Sequence, residues 1–89
     1  MGIEFGEHFA RDTVDPFGIA FEATVDGAKI RIRVRCDALQ DIAPDRATDS
    51  AESQFSANRF YFEEIAIALI EKGEAHEGVL TIEGKHVRE

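Results

Sequence analysis

Four of the ten Lys and Arg residues of this chain, Lys29, Arg31, Arg33 and Arg35, occupy alternate positions of one short run. Guanidinium and ammonium groups set out this way offer a row of donors to anions, whether the phosphates of a nucleic acid or the carboxylates of an acidic protein. Beside the row stands Cys36, the only cysteine. It lies next to Arg35 at the start of a short predicted helix, and both features favour a thiolate. A nucleophile also needs a base within reach, and no His lies near Cys36 in sequence. His76 with Glu74 and Glu77, and His86 further on, carry metal-ligating atoms at a spacing that matches no zinc pattern. Asp37, Asp41, Asp45 and Asp49 recur at every fourth position, but Pro44 breaks any common helix face. The alternating oxygens and central glycine of a calcium loop are also missing. The sequence has no Gly-rich phosphate loop, no Gly-x-Ser-x-Gly elbow and no carboxylate pair at a recognisable spacing. The expectation is therefore a non-enzymatic protein without metal or cofactor. Its candidate anion or acidic-partner site is Lys29, Arg31, Arg33 and Arg35.

Charge limits which anion that site would meet. The formal net charge is -8 at pH 7, and an acidic protein is repelled by nucleic acid at long range, because non-specific duplex affinity comes from neutralising phosphates. The residues between the bases, Ile30, Ile32 and Val34, are aliphatic and point to the other face, so no stacking platform accompanies the charge. Sheet readers of nucleic acid exist, which keeps nucleic acid or another anion as the alternative to an acidic protein partner, such as the Glu-rich helix of a second copy.

The chain has 89 residues, enough for a single domain, 1–89, that buries about 60–65% of its unfolded surface. A hydrophobic share of 44% and a charged share of 31% fall in the globular range and argue against wholesale disorder. One cysteine allows no internal disulfide and fits a reducing compartment. Residues 1–10 carry Glu4 and Glu7 and lack a basic start and an apolar stretch, unlike a secretory signal. No apolar run approaches the ~20 residues that span a bilayer. The Met-Gly start fails the myristoylation pattern because position 6 is Gly. A cytoplasmic protein is expected.

The elements that must position the basic row begin with Asp26-Gly27, which readily supplies the two positive φ angles of a type I′ hairpin turn. A two-residue turn fixes the register. Val25 then faces Ala28, Ala23 faces Ile30, Phe21 faces Ile32 and Ile19 faces Val34, so apolar meets apolar at every step. On the other face Thr24 meets Lys29, Glu22 meets Arg31 and Ala20 meets Arg33, while Arg35 projects beside Gly18. Residues 36–43 read as a short helix with Leu39 and Ile42 inward, stopped by Pro44. A polar, mobile loop is expected over 45–50. Asp49-x-x-Glu52 then caps a long helix running to about Lys72, with Gly73 as its stop. Phe55, Asn58, Phe62, Ile65, Ala66 and Leu69 share its inward side. Gly78 to Gly84 reads as another strand, with Leu80 and Ile82 inward, and Ile3-Glu4-Phe5 as a further one. The fold class expected is α+β. It is a small two-layer domain with a mostly antiparallel three- or four-stranded sheet on a central hairpin and one long and one short helix on one face.

Phe60 and Ile67 stand seven apart on the far side of the long helix, among Glu63, Glu64 and Glu71, where a helix covering a sheet should be polar. Either Phe9, Val14 and Phe17 fold over them, or they form a protein-interaction surface, for a second copy or another partner.

Three runs together resemble a known family. They are Phe21-Glu22-Ala23-x-Val25-Asp26-Gly27, then Asp37-Ala38-Leu39, then Phe55-x-x-Asn58-Arg59-x-x-Phe62-Glu63-x-Ile65-Ala66. In order and spacing they are similar to the bacterial domain of unknown function 1488, over nearly the whole chain. The resemblance implies a small bacterial α+β protein, with no established activity and no family site to transfer. The functional expectation is a small interaction or regulatory module, with anion or nucleic-acid binding through the basic sheet face as the alternative.

Overall fold

The computed structural model describes residues 2–11, 17–42 and 50–88. Its centre is the hairpin of β2 (Phe17–Val25) and β3 (Ala28–Arg35). Asp26 and Gly27 take φ values of 51° and 88°, the left-handed pair that a tight hairpin turn requires. The register is Val25↔Ala28, Ala23↔Ile30, Phe21↔Ile32 and Ile19↔Val34 on one face, and Thr24↔Lys29, Glu22↔Arg31 and Ala20↔Arg33 on the other. One detail departs from expectation: Arg35 pairs with Phe17, because the strand bulges at Gly18. The bulge presses Gly18 into the core, where a Cβ would stand 2.7 Å from Leu39 Cδ1 and 3.3 Å from Cys36 Sγ. Any larger residue there must push aside the side chains of Leu39 and Cys36 on the helix that follows.

β1 (Ile3–Arg11) lies antiparallel to β2, longer than the three residues expected, with a register shift between Phe5 and Phe9. The turn also anchors its start, since Asp26 N donates to Gly2 O and Asp26 Oδ1 accepts from Gly2 N, at 3.0 and 3.1 Å. β4 (Val79–Ile82) adds to the other side of β3 in parallel, giving a four-stranded sheet in the order β1-β2-β3-β4. A parallel neighbour cannot be reached by a tight turn. Residues 36–78 make the crossover, and they carry the helices that cover the sheet.

α1 (Cys36–Ile42) follows β3 directly and buries Ala38 and Leu39. The long helix expected next is two helices, α2 (Ala51–Ala57) and α3 (Arg59–Glu71). Ser50 is the N-cap of α2, its hydroxyl accepting from Ser53 N at 3.2 Å. Asp49, expected in that role, lies outside the described residues, as do 45–48 of the polar loop. The break falls at Asn58, whose φ of -124° leaves the helical region. Its side-chain amide donates to Gln54 O at 3.1 Å, the kind of local bond by which Asn competes with helix continuation. Lys72 ends α3 and Gly73 follows at φ 77°, as the glycine stop predicted. A short α4 (Gly84–Arg88), not expected from sequence, packs against α1.

The core lies between sheet and helices. Ile19, Phe21, Ile32, Val34, Leu80 and Ile82 meet Leu39, Phe55, Phe62, Ala66 and Leu69, all nearly or wholly removed from water. Phe55 is the hub, with ring centroids 4.8 Å from Phe9, 5.0 Å from Phe21 and 5.6 Å from Phe62. The break at Asn58 lets Phe55 and Phe62, on different helices, lie nearly parallel at 19°.

Candidate functional site

The basic row stands on the sheet face turned away from the core, on β3 between β2 and β4. Lys29 and Arg31 are exposed, Arg33 and Arg35 half-buried. Arg31 has Glu22 across it on β2 and Val79 on β4, and Arg33 lies between Ala20 and Thr81. Both Arg31 and Arg33 hold an interaction within the protein. Arg35 Nε donates to Asp37 Oδ1 at 3.2 Å. That carboxylate is shared: Oδ1 also accepts from Ala38 N at 3.0 Å and Oδ2 from Gly84 N at 3.3 Å. Asp37 thus ties the end of β3 to the first turns of α1 and α4, and Arg35 balances its charge. The Arg35 end of the row thus already holds a carboxylate.

Cys36 is half-buried at the start of α1. Among the described residues no group of three or more His, Cys, Asp or Glu is placed to hold a metal ion. His76 pairs through its backbone with Val79. His86 Nδ1 accepts from Glu83 N at 2.9 Å, a reciprocal cap for α4.

On the helical side Phe60 is 67% exposed and Tyr61 58%, their rings edge to face at 6.4 Å. Phe9 does not cover them, because β1 carries it to Phe55. Val14 and the side chain of Phe17 lie outside the described residues. Ile67, the other residue of that candidate surface, is half-buried. The exposed aromatic beside Phe60 is Tyr61, which opens a surface groove of about 680 Å³ between α1, α3 and α4. Its floor and walls include Ile42, Tyr61, Ile65, Ala68 and Val87, with Glu64 on the rim. Ile65, placed inward from sequence, sits at the boundary between core and groove. A smaller depression continues past Ala68 to Lys72 and His86. Sequence reasoning missed Tyr61, Ala68 and Lys72. The signal was there in the 4-3-4 spacing of Tyr61, Ile65, Ala68 and Lys72, a second stripe beside the core-facing one.

Arg59, first residue of α3, joins the two layers. Its guanidinium donates to Glu7 O at 2.8 Å and to Gly6 O, while Nε pairs with Glu63 at 3.0 Å. Its carbon lies 5.8 and 5.9 Å from the Phe9 and Phe55 ring centroids. The shifted segment of β1 is therefore held by a planar cation that is itself stacked on the aromatic hub.

This architecture defines a small α+β domain with a four-stranded, mostly antiparallel sheet, helices on one face, and a motif in which Phe55, Asn58, Arg59, Phe62 and Glu63 hold sheet and helices together. The chain belongs to the DUF1488 family, described as a protein of unknown function, whose members' pattern it matches over residues 4–82. No curated protein and no solved structure is significantly similar to it. Within the matched span, Asp26-Gly27 serve the turn, Asn58 the helix break and Phe55, Arg59 and Phe62 the aromatic hub. Among the described residues, no helix is long and apolar enough to cross a membrane.

Proposed function

We propose that this protein is a small non-enzymatic interaction module whose contact surface is the outer side of α3, and that it pairs there with a second copy of itself. The observation that carries this is the side-by-side exposure of Phe60 and Tyr61, at 67% and 58%, continuous with a groove floored by Ile65 and Ala68. Adjacent exposed aromatics next to an apolar groove are what interfaces use as anchors, since Phe and Tyr bring large contact area at little cost in side-chain entropy. The sheet edge is the less suitable surface, because Arg59 already occupies the carbonyls of Gly6 and Glu7 on β1.

Light scattering coupled to size-exclusion chromatography tests the proposal. The wild type is expected to be a dimer at tens of micromolar, roughly the range that a small interface supports. Phe60→Ser/Tyr61→Ser is expected to be a folded monomer by circular dichroism. A wild type that stays monomeric, or a dimer indifferent to that change, overturns the reading.

A further inference from the structure

We infer that α3 pairs with α3 of the second copy in antiparallel fashion, across a two-fold axis at Ala68, so that Glu64 of each chain meets Lys72 of the other. This rests on the reading of α3 as the contact surface and specifies its register. Tyr61, Ile65, Ala68 and Lys72 follow one another at intervals of four, three and four residues, the spacing of a helix–helix seam. Ala68 is exposed and is the smallest side chain on that stripe. On the floor of the groove between α1 and α4, it is where a helix entering that groove comes closest to α3. Glu64 lies four residues before it and Lys72 four after, each about 6 Å along the axis. A two-fold at Ala68 maps position 64 of one chain onto 72 of the other, so the stripe is complementary to itself in charge as well as shape. Both side chains belong to exposed residues. Each brings to the seam the sign that the other lacks.

Two further facts favour this pairing over others. Each copy carries a net charge of -8, so an arbitrary contact between copies is repulsive. A contact that places a cation against an acid, as this register does twice, offsets that repulsion. Antiparallel helices also set the positive end of each macrodipole beside the negative end of the other, and Lys72 lies at the C-terminal, negative end of its own helix.

The test is a charge-exchange series measured by sedimentation equilibrium in low salt. Glu64→Lys and Lys72→Glu, each alone, are expected to weaken dimerisation by roughly tenfold or more, since each places like charges opposite one another twice. The double variant Glu64→Lys/Lys72→Glu, and an equimolar mixture of the two single variants, are expected to dimerise as the wild type does. A wild type that dimerises while the single variants are unaffected overturns the register and leaves the α3 surface standing. Single variants that weaken without recovery in the mixture and the double variant overturn it too. A monomeric wild type overturns both register and surface.

Discussion

Arg59 lies over Phe55, its guanidinium carbon 5.9 Å from the ring centroid, and from that position it donates to two carbonyls of the first strand. The helix junction and the irregular segment of β1 are thus one structural unit, joined through a fully buried aromatic of the core. Replacing Arg59 by Ala removes three hydrogen bonds from a charged donor, to Gly6 O, Glu7 O and Glu63, and the cover over the Phe9–Phe55 contact. A loss of about 2–4 kcal/mol in folding stability is expected, read by urea denaturation. Arg59→Lys should recover less than half of it. An ammonium cannot fork to Gly6 O and Glu7 O while pairing with Glu63. Full recovery by Lys would show that only the charge matters.

Gly18→Ala is expected to lower stability by about 1–3 kcal/mol, the usual cost of overpacking a core. The added methyl would meet Leu39 Cδ1 at 2.7 Å, so the Leu39 side chain, 1% exposed in the core, must shift against its packed neighbours. A thermal melt within one degree of wild type would refute this.

At the hairpin turn, Asp26→Asn should be nearly neutral, because Asn tolerates the positive φ of 51° and keeps an acceptor for Gly2 N. Asp26→Val loses both and should cost roughly 1–3 kcal/mol. Amide exchange at the start of β1 should accelerate in the Val variant and not in the Asn one.

For the basic sheet face, fluorescence anisotropy with duplex DNA and single-stranded RNA in low salt is expected to show no binding below about 100 µM, the weak end of non-specific affinity. The net charge of -8 and the engagement of Arg35 with Asp37 argue for that outcome. Saturable binding abolished by Arg31→Ala/Arg33→Ala would instead restore the anion-binding alternative.

The hairpin was legible residue by residue, because Asp26-Gly27 fixes a register and alternation on both strands admits only one. So were the burial of Leu39, Phe55, Phe62, Leu80 and Ile82 and the stop at Gly73. The break at Asn58 was not. No Gly or Pro marks it, and it depends on an Asn side chain bonding back to Gln54 O and on the stacking of Phe55 with Phe62, a tertiary preference. α4 escaped notice because five residues opening on Gly carry no periodicity, and its hold comes from Asp37, far away in sequence. The bulge at Gly18 hid behind a glycine that a simple ladder also accepts. Of the outer side of α3, Phe60 could be picked out as misplaced. Tyr61 and Ala68 form a legible stripe with Ile65 and Lys72, but that the stripe is open to solvent depends on where α1 and α4 stop.

The parallel pairing of β3 with β4 also orders events in time. β1, β2 and β3 are contiguous in sequence and can form a meander as they leave the ribosome. β4 finds its place only after residues 36–78 have been made, so the far side of β3 waits through that interval as an open edge. Contacts so distant in sequence close slowly. During translation the alternating charges of Lys29, Arg31, Arg33 and Arg35 then act as guards, keeping nascent chains from zipping together at the strand that is completed last.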